Sequence, residues 1–91
     1  MDSNQESLDG QEAQRIIESD VYKKALQVLS DGYMSQWLNS PDNDVAGRER
    51  TYTKLQILSD FATQIKTVLE TGQMADEQIK RDRSKDIGTH Y

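Results

Sequence analysis

The sequence predicts an all-α chain: an antiparallel helical hairpin of about residues 20–39 and 45–71 with short flanking helices. Three observations predict it. Two long stretches carry apolar residues at spacings of three and four, the helical signature. One break, Ser40-Pro41-Asp42-Asn43-Asp44, lies between them and holds the only proline. The composition is 34% hydrophobic and 30% charged, below the roughly 45–50% apolar content of an ordinary globular domain. Thin helices with large solvated faces suit these values better than a thick globule does.

Residues 1–8 are polar, acidic and aperiodic, and read as a disordered tail. Asp9 can cap a short helix over about 11–18 with Ala13, Ile16 and Ile17 on one side. Ser19 and Asp20 offer a second cap, and the first helix is either continuous with the next or kinked from it. The second helix, about 20–39, carries Val21, Tyr22, Ala25, Leu26, Val28, Leu29, Tyr33, Met34, Trp37 and Leu38 at helical spacing. Gly32 lies inside that pattern at a cost of about 1 kcal/mol relative to alanine. It marks a local bend or, the favoured reading, a close helix crossing. Trp37, the largest apolar side chain, stands next to the turn and can plug the closed end of the hairpin.

Pro41 stops the second helix and holds Ser40 extended. Asp44 is the expected N-cap of the third helix, with Asn43 competing for the role. One stripe of that helix is Tyr52, Leu55, Leu58, Ala62, Ile65 and Leu69, and a second is Ile57, Phe61, Ile65 and Val68. Together they are wider than one partner helix needs. Gly72 reads as a C-terminal cap. Met74 to about Arg83 can form a short amphipathic helix, and residues 84–91 read as a second tail. The organisation expected is therefore a tail over 1–8, a helical domain over 9–83 and a tail over 84–91.

At 91 residues the chain is one domain at most. Its folding portion supplies a core worth only a few kcal/mol, so an oligomer is expected. There are no cysteines, which excludes disulfides and thiolate metal sites. No apolar run reaches the roughly 20 residues of a membrane span, and the acidic start lacks the features of a signal peptide. A soluble cytoplasmic protein is expected. Net charge is −5: residues 1–44 carry nine acids against three bases, and residues 45–91 eight bases against seven acids. A general basic surface for nucleic acid is disfavoured.

Among polar clusters, Gly47-Arg48-Glu49-Arg50 is the most distinctive. Bases in a first helical turn oppose the positive end of the helix dipole. Arg48 and Arg50 therefore either pair with Asp42 or Asp44, stay solvated, or contact a neighbouring subunit or a phosphate. The phosphate-loop pattern GxxxxGK[ST] is absent. Lys80, Arg81, Arg83 and Lys85 form a basic segment, interrupted by Asp82 and Asp86, that either solubilises a helix end or touches DNA or an acidic partner. His90 has no partners for a triad or a metal role. Nothing amounts to a catalytic signature, and no enzyme activity, cofactor, metal or small-molecule substrate is expected. The expected protein interface is Trp37, Leu55, Leu58, Phe61, Ile65 and Val68. Tyr22, Tyr33, Tyr52 and Trp37 serve either as hairpin packing or as interface anchors.

The run from Ala13 to Leu29, then Tyr33 and Trp37, the Asp-rich turn, "GRER", an apolar helix and "LETGQMA" together resemble a family of small helical proteins. That family is encoded by tailed bacteriophages and prophages near head and packaging genes. The resemblance covers about residues 12–79, and its most specific parts are Gly47-Arg48-Glu49-Arg50 and Thr71-Gly72-Gln73-Met74-Ala75. It implies a setting rather than a reaction: host cytoplasm or virion, with phage head or packaging proteins as partners. In architecture alone the hairpin is similar to the ring-building module of phage small terminase subunits, although no helix-turn-helix domain fits in the first 20 residues. The expected function is self-association and protein–protein contact in virion assembly or genome packaging. The alternatives are a small-terminase-like subunit that binds DNA and a host-takeover protein that binds a bacterial target.

Overall fold

A computed structural model describes residues 2–88, with side chains through Ser84. The described residues form three helices and no strand: α1 (Ser3–Glu18), α2 (Asp20–Leu38) and α3 (Val45–Gly88). The chain is all-α. It divides into two compact units, one of Met1–Ile17 with Ile65–Tyr91 and one of Glu18–Gln64, so α1 belongs with the second half of α3 and α2 with the first.

α1 starts well before the predicted residue 11 and takes in most of the expected 1–8 tail. Asp2, not Asp9, caps it. The Asn4 amide donates to Asp2 Oδ1 at 3.1 Å, and the Glu6 amide donates to the Asp2 carbonyl at 3.0 Å. Glu6 places an acid in the first turn and Arg15 a base in the last, both favourable to the helix dipole. The polar sequence is helical because its inward face is built from small residues, Ser7, Gly10 and Ala13, all buried.

The break between α1 and α2 is a single residue. Ser19 is extended (φ −65°, ψ 130°) and its side chain accepts the Tyr22 amide at 3.3 Å, an N-cap bond. α2 ends at Asn39, whose amide donates to the Ser35 carbonyl at 3.0 Å, and the Ser40 hydroxyl donates to the Trp37 carbonyl at 2.7 Å. In the connection, the Asp44 amide donates to the Pro41 carbonyl at 3.0 Å. Asp44 then caps α3, its Oδ1 accepting the Gly47 amide at 3.0 Å. A Cβ at Gly47 would stand 2.6 Å from Asp44 Cγ, so a larger residue there would require the capping carboxylate to shift.

α3 runs for 44 residues without interruption, about 66 Å of helix. The predicted stop at Gly72 is therefore wrong, and so is the separation of a short last helix from Met74. The backbone is helical to Gly88, where a tail from residue 84 was expected; residues 89–91, with His90, lie outside the described residues. One stripe of α3 is Thr51, Leu55, Leu58, Ala62, Ile65, Leu69, Gly72, Asp76 and Ile79, all buried or half-buried. They alternate gaps of four and three throughout, an unbroken heptad seam. Thr51, not Tyr52, holds the first position, with its hydroxyl donating to the Gly47 carbonyl at 3.0 Å.

Gly72 lies on that seam because another backbone passes over it. A Cβ there would stand 2.6 Å from Gly10 Cα and 2.9 Å from the Glu6 carbonyl oxygen; one on Gly10 would stand 2.7 Å from Gly72 Cα. Ser7 donates its hydroxyl proton to the Asp76 carboxylate one turn away. As numbers rise from 7 to 10 in α1 they fall from 76 to 72 in α3, so these two segments run antiparallel. Ala13 and Ala75 are the buried hydrophobic residues among those described, and no large side chain is fully buried. Gly32 behaves differently: α2 passes through it without a break and nothing lies within 4 Å of its Cβ position. The close crossing expected there is not made within the chain.

Outside the seams, four Gln–Asp pairs at i,i+4 (Gln5–Asp9, Gln27–Asp31, Gln56–Asp60 and Gln78–Asp82) form side-chain hydrogen bonds of 2.8–3.3 Å. Each contributes about 0.2–0.5 kcal/mol to its helix.

Candidate functional site

What this chain offers its surroundings is mainly apolar side chain. Trp37, Tyr52, Met34, Leu38 and Val45 are all exposed where α2 ends and α3 begins. Six residues connect α2 to α3. Met34, Trp37, Tyr52, Leu55 and Gln56 line a depression of about 280 Å³. Trp37 and Tyr52 also border a second one, of about 420 Å³, with Val45, Arg48 and Glu49. Trp37 is 41% exposed. It stands as an open wall of both depressions rather than a plug sealed between helices. Nearby, Lys54 Nζ lies 5.7 Å from the Tyr33 ring centroid, a cation–π contact.

Arg48 resolves the awkward charge in the first turn of α3. Its guanidinium donates to the Pro41 carbonyl at 2.6 Å and to the Asp42 carbonyl at 3.0 Å. It bridges back to two backbone oxygens of the connection, neither of them a carboxylate. The planar, forked guanidinium suits two acceptors at once, and these carbonyls offset the positive helix start that the side chain reaches back over. Arg50, two residues further on, is exposed and takes no part in this clamp.

The other interface residues expected from sequence divide into two groups. Leu55, Leu58, Ile65 and Val68 are half-buried. Phe61 is 56% exposed and Ile57, one turn before it, 61% exposed. On α2, Val21 and Val28 are more exposed still. These side chains are spaced as a helix seam is spaced, yet their own chain leaves them uncovered.

The unit that contains α1 holds a cleft of about 440 Å³ lined by Asn4, Ser7, Asp76, Lys80 and Arg83 among others. Lys80 and Arg83, at i,i+3 on α3, line it and Arg81 does not. The Asp76 carboxylate in the same wall opposes capture of an anion. Among the described residues no three His, Asp or Glu side chains gather to hold a metal ion, and no helix is long and apolar enough to cross a membrane. Sequence reasoning missed the Ser7–Asp76 bond and the Gly10–Gly72 contact, because neither residue pair carries an apolar signal. No known protein family, curated protein or solved structure matches this chain.

Proposed function

We propose that this chain is a non-enzymatic protein that acts by self-association and protein–protein contact, in the assembly of a tailed-phage virion or the packaging of its genome. One observation carries the first half of that reading. Among the described residues the buried hydrophobic side chains are two alanines, while Val21, Val28, Trp37, Tyr52, Ile57 and Phe61 are exposed. Burying a side chain of that size stabilises by about 1.5–3 kcal/mol, so most of the available apolar driving force is unused within one copy.

Within residues 18–64 the reading takes α2 and the start of α3 as an antiparallel hairpin. Tyr33 lies by Lys54 while Trp37 shares a depression with Tyr52, so residue numbers rise on one helix as they fall on the other. The connection, with Arg48 clamped on its carbonyls, fixes that end. The phage setting rests on the resemblance of residues 12–79. Phage head or packaging proteins are then the further partners, and the host cytoplasm or the virion the location.

Sedimentation velocity over a range of chain concentrations tests the reading. A reversible rise in mass with concentration is expected; a helical monomer at every concentration contradicts it. A DNA-binding version of the reading would use Lys80 and Arg83, although they share their cleft with the Asp76 carboxylate. That version requires retention of duplex DNA at low salt and its steep loss as salt rises.

A further inference from the structure

Gly32 has no purpose inside its own chain. It lies in the interior of a continuous helix, where glycine is disfavoured, and the space over it is empty. The other two glycines placed mid-helix, Gly10 and Gly72, are each explained by a backbone crossing at contact distance. Gly32 also lies on a stripe. Val21, Ala25, Val28 and Gly32 follow one another at gaps of four, three and four, a heptad seam, and all four are exposed. At 100° per residue this stripe points about 120° away from the half-buried Tyr22, Leu26, Ser30 and Tyr33.

We propose that a second copy of this chain covers that stripe, its α2 packed antiparallel on the first about a two-fold axis. The inference rests on the self-association reading and names the surface that carries it. The order of sizes is the main argument. Read forwards the stripe is large, small, large, small; read backwards it is small, large, small, large. In an antiparallel pair Val21 therefore meets Gly32 of the second copy, and Ala25 meets Val28, each twice. Every valine finds a glycine or alanine opposite it, and the helices approach closely.

Charge supplies an independent argument. Lys24 and Asp31 lie on one flank of the stripe, a heptad apart, and antiparallel helices bring like flanks together. Lys24 then faces Asp31 of the second copy on both sides of the axis. A parallel pair would not do so, because it would place each flank against the other. In the hairpin proposed above, the Ile57–Phe61 stripe of α3 falls on the same side as the α2 stripe. The second copy covers both, which accounts for the exposure of Val21, Val28, Ile57 and Phe61 in one copy.

The test is the dissociation constant of the full chain by sedimentation equilibrium, for the wild type and four variants. Gly32→Gln adds a soluble, helix-favouring side chain into open space, so one copy folds at least as well as before, as helical circular dichroism verifies. It is expected to weaken association at least about tenfold, since both symmetric layers are overpacked. Lys24→Asp and Asp31→Lys each put like charges together twice and weaken it about fivefold, and the double exchange restores it. Gly32→Gln and the single reversals leaving a wild-type oligomer unchanged would overturn this inference but leave self-association standing. A wild type monomeric at all concentrations would overturn both, including the outcome in which a different protein covers the stripe.

Discussion

Replacing Gly72 by alanine probes a place where two backbones touch. The new methyl would stand 2.6 Å from Gly10 Cα and 2.9 Å from the Glu6 carbonyl oxygen. Non-bonded carbons pack best at about 3.5–4.0 Å, so the two helices must part by about 1 Å. Both obstacles are backbone atoms, and no side chain can rotate aside. Overpacking of this kind costs about 1–3 kcal/mol, and the parting also loosens Ser7, Ala13 and Ala75. Alanine in place of glycine in a helix interior returns about 1 kcal/mol. The net expectation is a loss of up to about 2 kcal/mol, the clash less the propensity gain. Gly10→Ala should act in the same direction, with its methyl 2.7 Å from Gly72 Cα. Gly32→Ala is the internal control: nothing stands within 4 Å, so propensity alone acts and stabilises by about 1 kcal/mol. Thermal unfolding by circular dichroism, at the lowest usable chain concentration so that association contributes least, reads these as shifts of roughly 4–8 °C per kcal/mol. If Gly72→Ala or Gly10→Ala melts above the wild type, the close crossing is not a determinant of stability and the reasoning fails.

Three further substitutions test separate parts of the structure. Ser7→Ala removes the hydrogen bond to the Asp76 carboxylate; it should destabilise by about 1–2 kcal/mol, the loss of a bond to a charged group less the helix propensity gained, measured by urea unfolding. Arg48→Ala frees the Pro41 and Asp42 carbonyls; a loss of about 1 kcal/mol is expected, with faster amide hydrogen exchange in residues 39–48 as the local readout. Phe61→Ser should leave the stability of one copy within about 0.5 kcal/mol, as for most surface substitutions. It should weaken self-association about tenfold if Phe61 is an interface anchor, which sedimentation equilibrium distinguishes.

The parts of this fold that were legible in the sequence are those with local chemistry. Ser19 as an N-cap, the stop at Asn39-Ser40-Pro41 and Asp44 as the next cap all follow from short-range hydrogen bonding, and the structure contains each. α1 was legible only in part because Ser7 and Gly10 face inward without being apolar. A hydrophobic pattern cannot register a helix that packs through its smallest side chains. Gly72 misled for a related reason: glycine after a helical run looks the same whether it ends the helix or admits another backbone. The heptad spacing from Thr51 to Ile79 passes through Gly72 without a break, and that continuity was the available signal. Gly32 was misread in the opposite sense, because a close crossing was sought within the chain. At the candidate surfaces, Trp37 and Phe61 were identifiable by type and position. The use of Arg48 on carbonyls rather than carboxylates was not, since the acidic side chains of the connection offered an equally simple pairing.

The central claim is that one copy has too little core to be stable alone and that association supplies the rest. Binding that favours the folded state makes the unfolding midpoint depend on concentration. The most direct measurement is therefore the thermal midpoint of the full chain over a wide range of chain concentration, followed by helical circular dichroism. The account predicts a midpoint that climbs steadily as concentration rises. A sharp, cooperative transition at the same temperature throughout, with a monomer mass at the highest concentration, would contradict it.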